Sequence, residues 1–525
     1  GMSPRTLVLY ATQAVLLLSI RALTAQDLSN KEYWLKAGRQ ELAKSLERVA
    51  NTGVARNVIL FVGDGMGPNT ITASRIYKVG ETGHLSFEEF PYIGLLKTYI
   101  VDKQVPDSAA TATSMFCGIK NNYETAGVDA SVHFGDCPAS LKEDARLNCA
   151  ASWAQEAGKA TGFVTTTRVT HATPSALYAH TASRKWECES DMPKNATACK
   201  DIARQLIEDL PGRDFNVIMG GGMQTLRPNN SIPSDPWTCT RRDGRDLIET
   251  WKKDKTSKGS NRLATPTNTR QLLQVDTSST EYLLGIFAPG HLPFEYARDK
   301  SPDGVPSLEQ MTTTAIKVLN NNNNGFLLMV EGGMIDQAHH RGHARIALHE
   351  TVALSDAIRG TMSLLDELKI RDETLVIVTS DHTHALTISG YPSRGANILG
   401  IAGKSRIDGV PFTTLNYAVS GPNNYHYSAV NGKVVREDPS KVDTLDFEYS
   451  QQAAVLSHES YHGGGEVIVY ATGPMAHLFH TLHEQSYVAT VIAYASKIGY
   501  YNSATFAATS SITILITSLI SLYIC

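Results

Sequence analysis

Short apolar, β-branched runs recur along the chain, each separated from the next by a stretch with helical spacing. "NVILFVG" leads to Asp64, and "KATGFVTTT" leads towards His171. "FNVIMGGG" ends in glycines, "GFLLMVEGG" carries Glu331, "TLVIVTSDH" ends on Asp381 and His382, and "EVIVYATGP" follows His462. Runs that are apolar at every position, not at alternate ones, suit strands buried on both faces. Alternated with helices, they predict an α/β fold: a large, mostly parallel central sheet with helices on both faces. Two stretches break the rhythm. Residues 26–50, around "DLSNKEYWLKAGRQELAKSLERV", have the spacing of an amphipathic helix ahead of the first strand. Residues 390–455 are rich in Gly, Ser, Asn and Tyr with little helical period, and predict an inserted, surface-facing subdomain. The main body is then 51–389 with 456–502. The Asn run at 320–324 and the basic "WKKDKTSKG" segment read as solvated loops, and no internal repeat is visible.

Polar outliers fall at one structural place. Asp64, Glu331, Asp381 and His382 come at or just past the carboxyl ends of the apolar runs. That edge of an open α/β sheet is where ligands bind. A single loop carboxylate there needs no explanation beyond solvation, but four ionisable groups sharing one edge do. "VEGGMIDQAHHRGH" adds Asp336 and His340, four apart and so on one side of a helical turn. "TSDHTHAL" adds His384 and "SYHGGGE" adds His462. Imidazoles with carboxylates form a zinc-type ligand set, and a carboxylate-rich corner suits magnesium. His339 and His343 read as solvated, or as partners of the ligands. The stretch "VPDSAATATSMF" poses a narrower question. Asp107 and Ser108 are good helix-capping residues ahead of an Ala-rich run, and a serine there is also placed to receive an anion.

The ends and the cysteines suggest the compartment. Residues 1–25 have a basic residue, an apolar run and small residues, the pattern of a secretory signal peptide cleaved after Ala25. Residues 503–525 follow small residues with a polar spacer and an apolar tail, the pattern of a GPI-attachment signal, with Asn502, Ser503 or Ala504 as the attachment residue. A short transmembrane anchor is the alternative, but the tail falls short of the roughly 20 apolar residues that a span needs. Leaving aside Cys525 in that tail, six cysteines remain: Cys117, Cys137, Cys149, Cys188, Cys199 and Cys239. In an oxidising compartment an even number suggests disulfides, and the lack of a CxxC spacing argues against a thiolate zinc site. Asn195 and Asn229 stand in glycosylation sequons. The formal net charge of −4 argues against a nucleic-acid partner.

The motifs "DSAATATSMFCGIK", "RVTHATPSALYAHTASRKW", "VEGGMIDQAHH" and "TSDHTHA" resemble those of the alkaline phosphatase family, over nearly the whole chain. The resemblance implies hydrolysis of phosphate monoesters through a phosphoserine on Ser108, with two Zn2+ and one Mg2+. It implies a first zinc on Asp336, His340 and His462, and a second on Asp64, Asp381, His382 and the Ser108 oxygen. It places magnesium on Asp64, Thr173 and Glu331, and gives Arg184 the grip on phosphate. His384 would orient a zinc carboxylate, and His171 and Gln337 would tune the magnesium surroundings. Zinc would make the Ser108 alkoxide accessible, and two metals about 4 Å apart would clamp both ends of an in-line displacement. The resemblance further implies a homodimer, with the N-terminal helix and a crown-like insert at its interface, held on the extracellular face of the membrane by its lipid anchor.

The chain also departs from the family. His171 stands where many bacterial members have Asp, and Gln337 where animal members usually have His. The vertebrate calcium pair maps onto Phe287 and Ala288, and its Asp falls near Val305, so calcium is not expected. Cys137 with Cys199 matches a family disulfide. The other pairings stay open, with Cys117 beside the nucleophile helix a candidate free thiol. Among relatives of this metal fold, a sulfatase would need a C/S-x-P-x-R motif, which Ser108-Ala109-Ala110 does not supply, and Arg184 with the magnesium set favours monoesters over diesters. A rival of another kind is a non-catalytic, GPI-anchored surface glycoprotein on the same scaffold, which the complete set of site residues argues against.

Overall fold

The computed structural model describes residues 30–228, 235–236 and 238–502. The signal-peptide region, Asn229, Ser503, Ala504 and the C-terminal tail lie outside the described residues. Two units are distinguished, 1–50 and 51–525. In the first, Lys31–Leu46 is helical, with the Asn30 side chain accepting from the Glu32 amide, and none of its side chains is buried.

The second unit is built on a ten-stranded sheet. Eight of its strands are β1 (Asn57–Gly63), β2 (Tyr92–Lys97), β3 (Ala160–Arg168), β4 (Val217–Gly221), β5 (Leu263–Ala264), β6 (Tyr282–Ile286), β7 (Phe326–Gly332) and β8 (Thr374–Thr379). The other two are Val467–Thr472 and Thr481–Glu484. Across the sheet the order is 481–484, β2, 467–472, β8, β1, β7, β3, β4, β6, β5. All neighbours are parallel except strand 467–472, which runs antiparallel to both β2 and β8.

The central strands explain their own composition. Val58, Leu60 and Val62 of β1 enter one apolar core, and Ile59 and Phe61 the other. The helix Ser108–Cys117 packs into the first core through Ala109, Ala112, Met115 and Phe116. The long helix Ala344–Glu367 packs into the second through Ile346, Ala347, Leu354 and Ile358. A strand covered on both faces has no solvent-facing position to make polar, hence the continuous apolar runs. At β2 one face is open: Tyr92, Gly94 and Leu96 are buried while Ile93 and Leu95 are exposed. Its burial therefore alternates, although both exposed positions are apolar.

The insert is a set of short strands. Leu386–Ile388, Leu415–Ser420 and Ala453–Leu456 form a three-stranded sheet that begins and ends just outside 390–455. Hairpins 401–404/411–413 and 427–430/433–436 lie within it. Leu386, Ile398, Leu399, Leu415, Tyr417 and Ala453 form its core, seated on Ala73, Ala344 and Leu348 of two helices of the body. No helix among the described residues is long and apolar enough to cross a membrane.

Two expectations are corrected. "WKKDKTSKG" is not a solvated loop: Leu247–Ser257 is a helix, capped by the Asp246 side chain on the Glu249 amide. Its Trp251 and Lys255 are buried, and the Lys255 ammonium donates to the Arg213 carbonyl. Cys117 is not free but pairs with Cys149. Cys117 ends the Ser108 helix, stopped by Gly118 at φ 77°, and Cys149 caps the helix Ala150–Glu156. The other bonds are Cys137–Cys199, as the resemblance implied, and Cys188–Cys239. Asn195 is exposed on a loop.

The Cys117–Cys149 bond closes a chain separation of 32 residues and ties down the far end of the helix that begins at Ser108. Replacing both cysteines by serine should lower the unfolding free energy by about 2–4 kcal/mol in oxidising conditions, read by denaturant titration.

Candidate metal centre

Register puts the ionisable groups at one edge. Val62 of β1 pairs with Glu331 of β7 and with Thr379 of β8, and Thr165 of β3 also pairs with Glu331. Asp64 follows β1, and Asp381 and His382 follow β8, so all of them emerge together. The turn after β1 needs Gly65, at φ +67°, because a Cβ there would lie 2.6 Å from the His384 ring. The Gly65 amide donates to Asp381 Oδ1 at 2.9 Å.

The side chains gather around three places. At the first, His382 Nε2 lies 3.1 Å from Ser108 Oγ, 3.1 Å from Asp381 Oδ2 and 3.4 Å from Asp64 Oδ1. At the second, His340 Nε2 is 3.2 Å from Asp336 Oδ2 and 3.1 Å from His462 Nε2, which is 3.4 Å from Asp336 Oδ1. His384 Nε2 is hydrogen-bonded to Asp336 Oδ1, and Gln337 Nε2 donates to Asp336 Oδ2 at 3.2 Å. At the third, Glu331 Oε2 accepts from the Thr165 and Thr167 hydroxyls, with Asp64, His171 and Thr173 buried alongside. Three groups bring ligand atoms within 4.8 Å of one another: Asp64/Asp381/His382, Asp336/His382/His384/His462 and Asp64/His171/Glu331.

The imidazoles are oriented from behind. His340 Nδ1 donates to the Ser460 carbonyl at 2.8 Å, His462 Nδ1 to that of Pro106 at 2.8 Å, and His382 Nδ1 to that of Thr383 at 3.2 Å. On a neutral imidazole with its proton on Nδ1, Nε2 would offer its lone pair to a cation, as metal ligation requires. Both Asp64 oxygens, Asp381 Oδ2, Glu331 Oε1 and Thr173 Oγ1 are buried without a hydrogen-bond partner. Acceptor atoms orphaned in this way fit divalent cations.

The charges are mutually strained. Burial, with repulsion from Asp336, Asp381 and Glu331, pushes the Asp64 carboxyl well above its ordinary range. Burial raises Glu331 to about 7. His340 rises to about 9 because the Asp336 carboxylate outweighs burial. Asp336 is held well below the usual range, the histidines around it outweighing burial. Burial and the neighbouring His462 push His382 well below 6.5.

Ser108 opens its helix immediately after Asp107. Asp107 Oδ2 accepts from the Ala109 amide at 3.1 Å and lies 3.3 Å from Arg184 Nη1. Arg184 Nη2 lies 3.3 Å from His171 Nε2. Asp64, Glu331, Asp381 and His382 are wholly buried, whereas Arg184, Gln337, His340 and His462 reach solvent, so the cluster has a floor and a mouth. His339 is not solvated: it is fully buried, stacked on His384, and bonded to the Tyr417 and Thr70 hydroxyls. His343 is partly buried, 3.3 Å from the Tyr449 carbonyl. Thr165 and Thr167, which hold Glu331, escape notice in the sequence because a threonine run reads simply as strand.

The fold and site thus define an α/β protein in which groups of metal-capable side chains face a serine at a helix N-terminus. The alkaline phosphatase family profile matches residues 55–498. The chain is 43% identical over 494 residues to the human tissue-nonspecific isozyme of alkaline phosphatase, covering 91% of each chain. It is 43% identical over 483 residues to alkaline phosphatase of Gadus morhua, covering 89% of this chain and 97% of that one. The solved structure of alkaline phosphatase from the Antarctic bacterium TAB5 shares the fold at a TM-score of 0.58 and 22% identity, over 85% of this chain and 99% of that one. The chain belongs to the alkaline phosphatase family.

The buried charges make the metal-free protein sensitive to pH. Folded-state values of about 7 for Glu331, about 9 for His340 and, through burial, about 8 for Glu350 all exceed the unfolded ones. Each such group lends stability below its unfolded value and loses it between that value and its folded one, so Glu331 is spent by about pH 7 and Glu350 and His340 carry the loss above it. Histidines with depressed values are already neutral in both states above pH ~7, since unperturbed imidazole titrates near 6.5. Chelated protein should therefore lose melting temperature from pH ~7 to ~9. Restoring divalent cations should flatten that slope, as scanning fluorimetry would show.

Proposed function

We propose that this protein is an alkaline phosphatase that hydrolyses phosphate monoesters through a phosphoserine on Ser108. The observation that carries the reading is the position of Ser108 Oγ, 3.1 Å from His382 Nε2 at the start of a ten-residue helix, beside Arg184. Asp336, His340 and His462 would hold one zinc, Asp64, Asp381 and His382 with Ser108 a second, and Asp64, Thr173 and Glu331 magnesium. Bound there, these ions supply Lewis acidity towards the serine hydroxyl, the leaving oxygen and the attacking water.

The chain's own groups do the rest. The helix N-terminus favours an incoming phosphate through its dipole and amides. Arg184 takes two phosphate oxygens in fork geometry, with Asp107 holding the guanidinium from behind. Ser108 Oγ attacks phosphorus, the bond to the alcohol oxygen breaks, and the alcohol leaves with a proton. Water then attacks the phosphoserine, releasing inorganic phosphate and the free hydroxyl. The grip falls on the phosphate and not on the alcohol, which suits many monoesters.

The wider setting follows the same reading: a homodimer, glycosylated at the exposed Asn195, GPI-anchored at one of residues 502–504 on the extracellular face of the membrane. Three disulfides support an oxidising compartment.

Hydrolysis of p-nitrophenyl phosphate should rise from pH ~7 to ~10, vanish with EDTA, and return with zinc and magnesium together. Ser108→Ala should lower kcat by roughly 10³-fold or more. Unaltered activity in that variant would favour the surface-glycoprotein alternative. Gln337 presents a neutral amide near the phosphate, which should bind it less firmly than a cation would. Gln337→His should therefore lower the inhibition constant for inorganic phosphate by about three- to tenfold in steady-state kinetics. A rise would overturn this assignment.

A further inference from the structure

Behind His171 lies a second polar cluster that the metal centre does not use. Arg168 ends β3, and Glu187 follows Arg184 by three residues; both are less than a tenth exposed. Glu187 accepts from Arg168 Nε at 2.8 Å, from Arg168 Nη2 at 2.6 Å and from the Thr170 hydroxyl at 2.6 Å. That fork leaves Arg168 Nη1, which lies 2.8 Å from His291 Nε2. A guanidinium only donates, so His291 accepts there and carries its own proton on Nδ1. The His291 ring stands edge-on to His171, centroids 5.1 Å apart at 76°. His171 Nε2 in turn faces Arg184 Nη2 at 3.3 Å, and by the same rule His171 is the acceptor.

One continuous line therefore runs from a buried ion pair to the proposed phosphate grip: Glu187, Arg168, His291, His171, Arg184. An imidazole on an sp³–sp² torsion has two roughly equivalent orientations, and only one of them offers Nε2 to Arg184. His291, itself pinned by Arg168, packs against the His171 ring and can select between them.

We propose that His291 is a positioning residue for the phosphate grip, transmitting the fixed orientation of the Arg168–Glu187 pair through His171 to Arg184. It touches neither substrate nor the reacting atoms. The assignment rests on the phosphatase reading above.

The test is steady-state hydrolysis of p-nitrophenyl phosphate with inorganic phosphate as inhibitor, in metal-loaded full-length protein. His291→Leu should raise KM and the phosphate inhibition constant together by about five- to tenfold, less than direct loss of a charged hydrogen bond. kcat should move by a smaller factor. His291→Gln, which can place an amide oxygen near the Nε2 position, should recover most of the loss. If His291→Leu does not fold, His291→Asn, too short to reach Arg168, takes its place with the same expectation. Wild-type constants in the Leu or Asn variant would overturn the proposal, as would a Gln variant no better than Leu or Asn. An inactive, metal-loaded wild type would instead overturn the phosphatase reading, and the proposal with it.

Discussion

Everything at the strand-end edge depends on one electrostatic constraint: Asp64, Glu331, Asp336 and Asp381 are buried together. Two like charges a few ångströms apart cost about 4 kcal/mol at an effective dielectric near 20, before desolvation. The fold does not relieve this by spacing them apart, because parallel register fixes where β1, β7 and β8 end. The polypeptide alone has two ways out, proton uptake and pairing with imidazolium, and the raised carboxyl at Asp64 and the raised imidazole at His340 show both at work. Divalent cations offer a third route that needs neither proton. The floor of the site is thus a place where the fold is least comfortable by itself and most receptive to metal.

Receptiveness needs orientation as well as charge. The three imidazoles of the cluster that donate to backbone carbonyls draw on Pro106, Thr383 and Ser460. For His340 and His462 those carbonyls lie 120 and 356 residues away in sequence, so their tautomers are set by the whole fold, whereas His382 uses the residue that follows it. His384 contributes differently: its Nε2 is already engaged with Asp336, and its ring is packed on His339, which the Tyr417 hydroxyl of the insert holds in turn. A subdomain that reads as peripheral in the sequence therefore reaches, through one phenol and two imidazoles, a carboxylate of the metal cluster.

The central sheet was legible because strands covered on both faces leave an unbroken apolar trace, and the ligand edge was legible because polar groups interrupt that trace at its carboxyl end. Legibility failed where burial was one-sided or depended on distant chain. β2 is apolar at Ile93 and Leu95 although both are exposed, so its open face leaves no polar trace in the sequence. The helix at 247–257 hides its stripe of Leu247, Ile248 and Trp251 among lysines, one of which is buried on a carbonyl. Cys117 finds Cys149 only because two helices meet, a fact no spacing rule contains. His291 carries no motif at all; its place is visible only once Arg168 and Glu187 are seen to close on each other.

The stretch "VPDS" holds a helix cap, and the geometry gives that cap a second task. Asp107 Oδ2 accepts from the Ala109 amide and faces Arg184, while Oδ1 accepts from the Glu124 amide at 2.8 Å. One carboxylate fixes the start of the helix, the loop at Glu124 and the guanidinium. The Arg184 backbone amide in turn donates to the Glu124 carbonyl at 2.9 Å, closing the circuit. Any shift of the helix start would move serine and arginine together, so their separation is set by Asp107 and not by two independent loops. In this chain the cap is how Ser108 and Arg184 are held in register, and a residue suited to the first task is for that reason suited to the second.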